Sequence, residues 1–152
     1  MVLTVQQEVA ERMTARPPGM SLLAVSVQYY ACVVVVAKIP AGAFYPVPKV
    51  DSAVVRMELY EATRGDEPGA RGVGAPLTRG AFFRVVRAGF CQPRKQLRNA
   101  LAAGLQMPPA EAETCLNAAS IDPHRRAETL ELSEWDELAS VVSARPAPGD
   151  SA

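Results

Sequence analysis

Phe44-Tyr45-Pro46-Val47-Pro48-Lys49-Val50-Asp51-Ser52-Ala53-Val54-Val55-Arg56 decides how this chain is read. Pro46 and Pro48 each fix φ and remove a backbone donor. Tyr45 and Val47, each before a proline, are pushed toward extended conformations. The loop is therefore stiff without ladder hydrogen bonds. From Ser52 onward the β-branched residues predict a strand reaching Leu59, with Val54 and Val55 inside it. A stiff loop with an aromatic at its head can present a flat ring to a flat ligand. The same Phe44 can equally be a core residue at a strand entry, and composition alone leaves both readings open.

Upstream of the loop, Cys32 to Ile39 is a continuous β-branched run and predicts a central, buried strand. Pro40-Ala41-Gly42 turns it into the loop, and so short a connection predicts antiparallel neighbours. Further back, Met1 to Val5 predicts a short buried strand and Gln7 to Ala15 a helix that stops at Arg16-Pro17-Pro18-Gly19. Ser21 to Tyr30 predicts a second helix burying Leu22, Leu23, Val25 and Tyr29.

Downstream, residues 61–78 hold Gly65, Pro68, Gly69, Gly72, Gly74 and Pro76, a linker composition that places a domain boundary there. Arg79 to Cys91 predicts a helix with Phe82, Phe83, Val86 and Phe90 on one face and Arg84 and Arg87 on another. A helix from Arg94 to Ala103 would put Arg94, Lys95 and Arg98 on one face, with Leu97 and Leu101 toward the core. Ala110 to Ala119 predicts another helix, Asp122-Pro123 the cap of the next. Ser133-Glu134-Trp135-Asp136 resembles a capping box opening a last helix with Trp135, Leu138 and Val142 inside. Residues 144–152 have the composition of a disordered tail.

The 152 residues are 49% hydrophobic and 21% charged with net charge zero, which fits a globular chain of one or two small domains. The charge is uneven: residues 68–110 carry seven basic groups and no acid, whereas residues 111–152 carry three basic and nine acidic. Clustered like charges on a helix repel by roughly 0.2–0.5 kcal/mol per pair. A polyanion would relieve that repulsion, and phosphate contacts by Arg and Lys supply sequence-independent affinity. A solvated face is the plainer alternative. For Arg125 and Arg126 the alternative is pairing with Glu128 or Glu131. Cys32, Cys91 and Cys115 have neither metal-ligand nor disulfide spacing, and Cys32 is expected to be a buried small hydrophobe. A single histidine, His124, gives metal clusters and Ser-His-Asp triads no support. No secretory signal is visible, and the apolar run 31–37 is far shorter than the ~20 residues a membrane helix needs. The expected location is the cytoplasm, with no membrane and no metal.

Phe-x-Pro-x-Pro-Lys-Val-Asp-Ser-Ala resembles the late motif of the ribosomal RNA adenine dimethyltransferases. Four further stretches agree in order: Val5-Gln6-Gln7-Glu8-Val9-Ala10-Glu11-Arg12-Met13, Ser26-Val27-Gln28-Tyr29-Tyr30, residues 86–101, and Ile121-Asp122-Pro123-His124-Arg125-Arg126-Ala127-Glu128-Thr129-Leu130. Together they cover residues 1 to about 140. One departure is Pro93, where the family usually has another basic residue.

The resemblance implies an α/β fold: the C-terminal part of an S-adenosylmethionine-dependent, Rossmann-like methyltransferase sheet (residues 1–60), a linker (61–78), a small all-helical rRNA-binding domain (79–143) and a tail (144–152). It implies that the intact enzyme moves methyl groups from S-adenosylmethionine to adjacent adenines of small-subunit rRNA, alone or in a pre-30S-type particle. It implies that Phe44 lies in the target-adenine pocket. Lys49, Arg84, Arg87, Arg94, Lys95, Arg98, Arg125 and Arg126 would contact RNA. The family's Gly-rich cofactor loop and Asn-Leu-Pro-Tyr motif do not occur in this sequence, and Gly72-Val73-Gly74 lies in the linker rather than between a strand and a helix. No catalytic or cofactor-binding residue is therefore expected here, and no S-adenosylmethionine binding by this chain alone. The alternatives are a non-catalytic rRNA-binding module in subunit assembly and a gene fragment without function. An unpaired edge on the first strand predicts association.

Overall fold

A computed structural model describes residues 1–60 and 77–145. Most of the expected linker and residues 146–152 of the expected tail lie outside the described residues. Three strands form one sheet: β1 (Val2–Gln6), β2 (Ala31–Ile39) and β3 (Ser52–Leu59). The order is β1-β3-β2, both pairings antiparallel. The antiparallel relation of β2 and β3 matches the short connection between them.

The central strand is β3, not the β-branched run at 31–39. That expectation is corrected by burial: β3 buries Ala53, Val55 and Met57, whereas β2 leaves Val34, Val36 and Cys32 exposed. Valine-rich composition reports a pleated, packed surface, not a position within the sheet. Val36 is also the extra residue of a bulge between Val35 and Ala37. The expectation that β1 is buried is corrected too, because Val2 and Leu3 are exposed.

Two helices pack against the sheet. Helix α1 (Gln7–Met13) follows β1 without a loop, and α2 (Leu22–Tyr30) starts at Ser21, whose Oγ accepts the Ala24 N–H at 3.2 Å. Leu22, expected inside, is exposed at this first turn. The buried Gln28 donates through Nε2 to the Met13 and Ala15 carbonyls at 3.0 and 2.9 Å, tying the end of α1 to α2.

Four helices follow: α3 (Arg79–Phe90), α4 (Leu97–Leu105), α5 (Pro109–Ala118) and α6 (Leu132–Ser143). Phe82, Val86, Leu97, Leu101, Trp135, Leu138 and Val142 are buried as their spacing predicts. Three boundaries are corrected. The turn over residues 91–96 keeps Arg94 and Lys95 out of α4, which starts after Gln96. Asp122 caps no helix; its Oδ1 accepts the His124 N–H at 2.9 Å in a local turn that leads to a short 3-10 turn at Ala127–Thr129. Helix α6 opens at Glu131, not Ser133, with Glu134 Oε2 accepting the Glu131 N–H at 2.8 Å.

Among the described residues, two apolar clusters form the core. The smaller joins α1 to the sheet through Ala10, Met13, Ala53, Val55 and Met57. The larger fills the helical part and also contains Met20, Ala24, Val25 and Tyr29. Helix α2 is therefore shared: Leu23 and Val27 face the sheet, Ala24, Val25 and Tyr29 the helices.

Candidate nucleic-acid interface

The register brings three ends together. Gln6 at the end of β1 and Ile39 at the end of β2 both pair with Ser52 at the start of β3. The carboxyl ends of β1 and β2 therefore open on one side, where open α/β sheets bind ligands. Residues 40–51, the proline-ruled loop, lie on that side. Asp51 closes the loop: its Oδ1 accepts the Ala41 N–H at 2.8 Å and its carbonyl accepts the Gln7 N–H at 3.0 Å. A 3-10 turn at Ala41–Ala43 leads into Phe44, whose N–H donates to the Ala41 carbonyl at 3.2 Å.

Phe44 is half-buried and its neighbour Tyr45 is fully exposed. Side chains alternate along an extended segment. An inward Phe44 therefore implies an outward Tyr45, a signal available in the sequence and not used there. Lys49 is exposed and has no ion pair or side-chain hydrogen bond among the described residues. It borders an open depression of about 400 Å³ shared with Gln6, Gln7, Glu11 and Asp51.

The remaining basic residues separate into two groups. Arg84 and Arg87 are exposed, three residues apart on α3 and so on one face. Arg94 and Lys95 are exposed in the 91–96 turn, beside a shallow depression of about 370 Å³ that also involves Cys91, Gln92 and Pro93. These four carry no ion pair or side-chain hydrogen bond among the described residues. The other three are engaged. Arg98 Nη1 donates to Glu113 Oε2 of α5 at 3.0 Å. Arg125 holds Glu134 through both Nη atoms and also donates to the Thr129 hydroxyl at 3.1 Å. Arg126 lies 3.9 Å from Glu128. The expected common helical face of Arg94, Lys95 and Arg98 does not form, and the acid-free stretch 68–110 does take an acid, from the next helix. Tertiary pairing with Glu113 and Glu134 is invisible in local charge counts.

Electrostatics follow this division. The Glu134 hydrogen bond raises the Arg125 guanidinium above its usual range. Burial pushes the Glu134 carboxyl up, but the Arg125 hydrogen bond and the Glu131 N–H outweigh it and hold the group below its ordinary 4.5. Asp122 is lowered by the His124 backbone and side-chain hydrogen bonds. Among the described residues no group of His, Cys, Asp and Glu could hold a metal ion, and no helix is long and apolar enough to cross a membrane.

An antiparallel three-stranded sheet packed on helices and joined to a helical bundle places the chain in the α/β class. A sequence model described as ribosomal RNA adenine dimethylase matches residues 1–139. The chain belongs to that family. It is 41% identical over 146 residues to a ribosomal RNA small subunit methyltransferase A of Dehalococcoides mccartyi, covering 96% of this chain and 47% of that protein. It is 45% identical over 139 residues to the same-named protein of Anaeromyxobacter dehalogenans, covering 90% and 45%. The chain thus spans about half the length of the curated relatives it matches. A dimethyladenosine transferase from Plasmodium falciparum superposes with a TM-score of 0.66 at 22% identity, over 90% of this chain and 55% of that one. The 23S rRNA methyltransferase ErmE gives 0.59 at 22%, over 93% and 54%. Both likenesses are of fold.

Proposed function

We propose that this chain is the RNA-gripping half of an rRNA adenine dimethyltransferase. The intact enzyme would transfer methyl groups from S-adenosylmethionine to the exocyclic amines of adjacent adenines in small-subunit rRNA, during ribosome biogenesis in the cytoplasm. The observation that carries the reading is the division of basic residues. Arg84, Arg87, Arg94 and Lys95 keep their charges free while Arg98 and Arg125 are tied to carboxylates. Cations held without partners cost self-repulsion and are suited to phosphates. Phe44, half-buried at the binding side of the sheet, would stack on an adenine drawn out of its helix, which an enzyme acting on a base must first extract.

The described residues do not fit S-adenosylmethionine by themselves. Their one direct strand-to-helix junction, Gln6-Gln7, holds no glycine, and the backbone N–H of Gln7 is already bound to the Asp51 carbonyl. Such a junction offers no open backbone cradle. This favours a second reading, in which the chain by itself binds rRNA without catalysing methyl transfer, as a module in subunit assembly.

Binding of a small-subunit rRNA fragment as a function of salt tests both readings. We expect log Kobs to fall linearly with log salt concentration. Replacing Arg84 and Arg87 together with Gln should flatten that slope by about 2 units, roughly one per phosphate contact. The Arg94→Gln/Lys95→Gln pair should do the same. Arg98→Gln should leave the slope nearly unchanged. An unchanged slope in the first two variants would rule out the interface.

A further inference from the structure

We infer that Tyr45 is a second stacking platform, holding an unstacked RNA nucleotide other than the one assigned to Phe44. The inference rests on the rRNA-binding reading above and specifies which part of the RNA the loop contacts.

Tyr45 is fully exposed, with no described part of the chain over its ring. The backbone that carries it is nonetheless constrained. Pro46 restricts Tyr45 to extended backbone. The Asp51–Ala41 bond at 2.8 Å closes the loop around it, and the Ala43 N–H donates to the Pro40 carbonyl at 3.0 Å. A loop ordered before binding leaves only the ring's own rotamers to be fixed by a flat partner. An exposed aromatic on a rigid stem, over no core, is thus built to receive a surface from outside.

The chemistry of the loop selects a nucleobase as that surface. Lys49 lies four residues away on the same loop with its ammonium unpaired. The loop's single acid, Asp51, has its Oδ1 engaged by the Ala41 N–H. An aromatic face with an unpaired cation on the same loop is how single strands are held: bases stack on rings while cations follow the phosphates. A peptide adding as a β-strand would need backbone donors, and Pro46 and Pro48 have none. Stacking needs an exposed base face, so the ligand is a single-stranded or flipped segment. Arg84, Arg87, Arg94 and Lys95 would serve phosphates of either form.

Fluorescence anisotropy with the full chain and two labelled probes tests this: a short adenine-rich single-stranded RNA and a duplex hairpin of similar length. Tyr45→Ala should weaken single-strand binding roughly fivefold or more and leave duplex binding within about twofold. Tyr45→Phe and Tyr45→Trp should retain single-strand affinity. The salt slope of Tyr45→Ala should match the parent, whereas Lys49→Met should lower it by about one. If Tyr45→Ala binds the single strand as the parent does, or Tyr45→Trp fails to retain affinity, stacking at Tyr45 is overturned. If that happens while the Arg84/Arg87 pair still lowers the slope, the rRNA reading stands and only this inference falls. If the parent binds neither probe, both fall.

Discussion

At Gly89 an added Cβ would lie 2.4 Å from the Trp135 ring and 3.2 Å from Leu97 Cδ1. Trp135 is fully buried and cannot give way without moving the core. Gly89→Ala is therefore expected to destabilise by about 1–3 kcal/mol, the range for overpacking. Gly80, also in α3, meets nothing within 4 Å. Gly80→Ala should stabilise, by roughly 0.5–1 kcal/mol, through lower unfolded-state entropy. Urea midpoints of the two variants should move in opposite directions; a shared sign would contradict the packing described. The Arg125–Glu134 pair gives a pH dependence. Glu134 sits below its ordinary 4.5 in the folded chain, so its contribution is fully present above pH 4.5 and is lost as pH falls below it. Urea unfolding between pH 6 and pH 3 should show a loss of stability that is smaller in Glu134→Gln.

Helix α2 is the element that decides how the two halves behave. Tyr29 packs against Phe82 and Phe83 of α3 at ring distances of 4.5 and 5.0 Å, and Tyr30 stacks on Phe83 at 6.0 Å. The Met20 N–H donates to the Glu128 carbonyl at 3.0 Å. The linker composition at 61–78 suggests a boundary, yet the larger core runs across it. We expect Phe82→Ala to cost about 3–5 kcal/mol. Because α2 is common to both cores, far-UV circular dichroism and Trp135 fluorescence should report one shared transition. Two separated transitions would show that the sheet and the helices unfold independently.

For the molecule as a whole, the outer edge of β1 has no partner strand among the described residues, and Val2 and Leu3 beside it are exposed. Unpaired, apolar strand edges invite pairing with another chain. Sedimentation of this chain is expected to show concentration-dependent association, reduced by Val2→Lys. A monomer at all concentrations would refute it.

The sequence by itself determined most element types, the helix expected after Asp122 excepted, and most of the core. Proline spacing set the loop, and period-3.6 apolar positions placed Phe82, Val86, Leu101, Trp135 and Leu138 inside. The motifs set the family. The sequence did not determine strand order, because Val33–Val36 read as a central strand whether β2 or β3 lies in the middle. It did not distinguish Arg94 from Arg98, because the partner of Arg98 is Glu113, 15 residues away in another helix. Periodicity is a local property and survives in one dimension. Sheet position, helix sharing and charge pairing depend on which segments the fold brings together, and only the tertiary structure decided those.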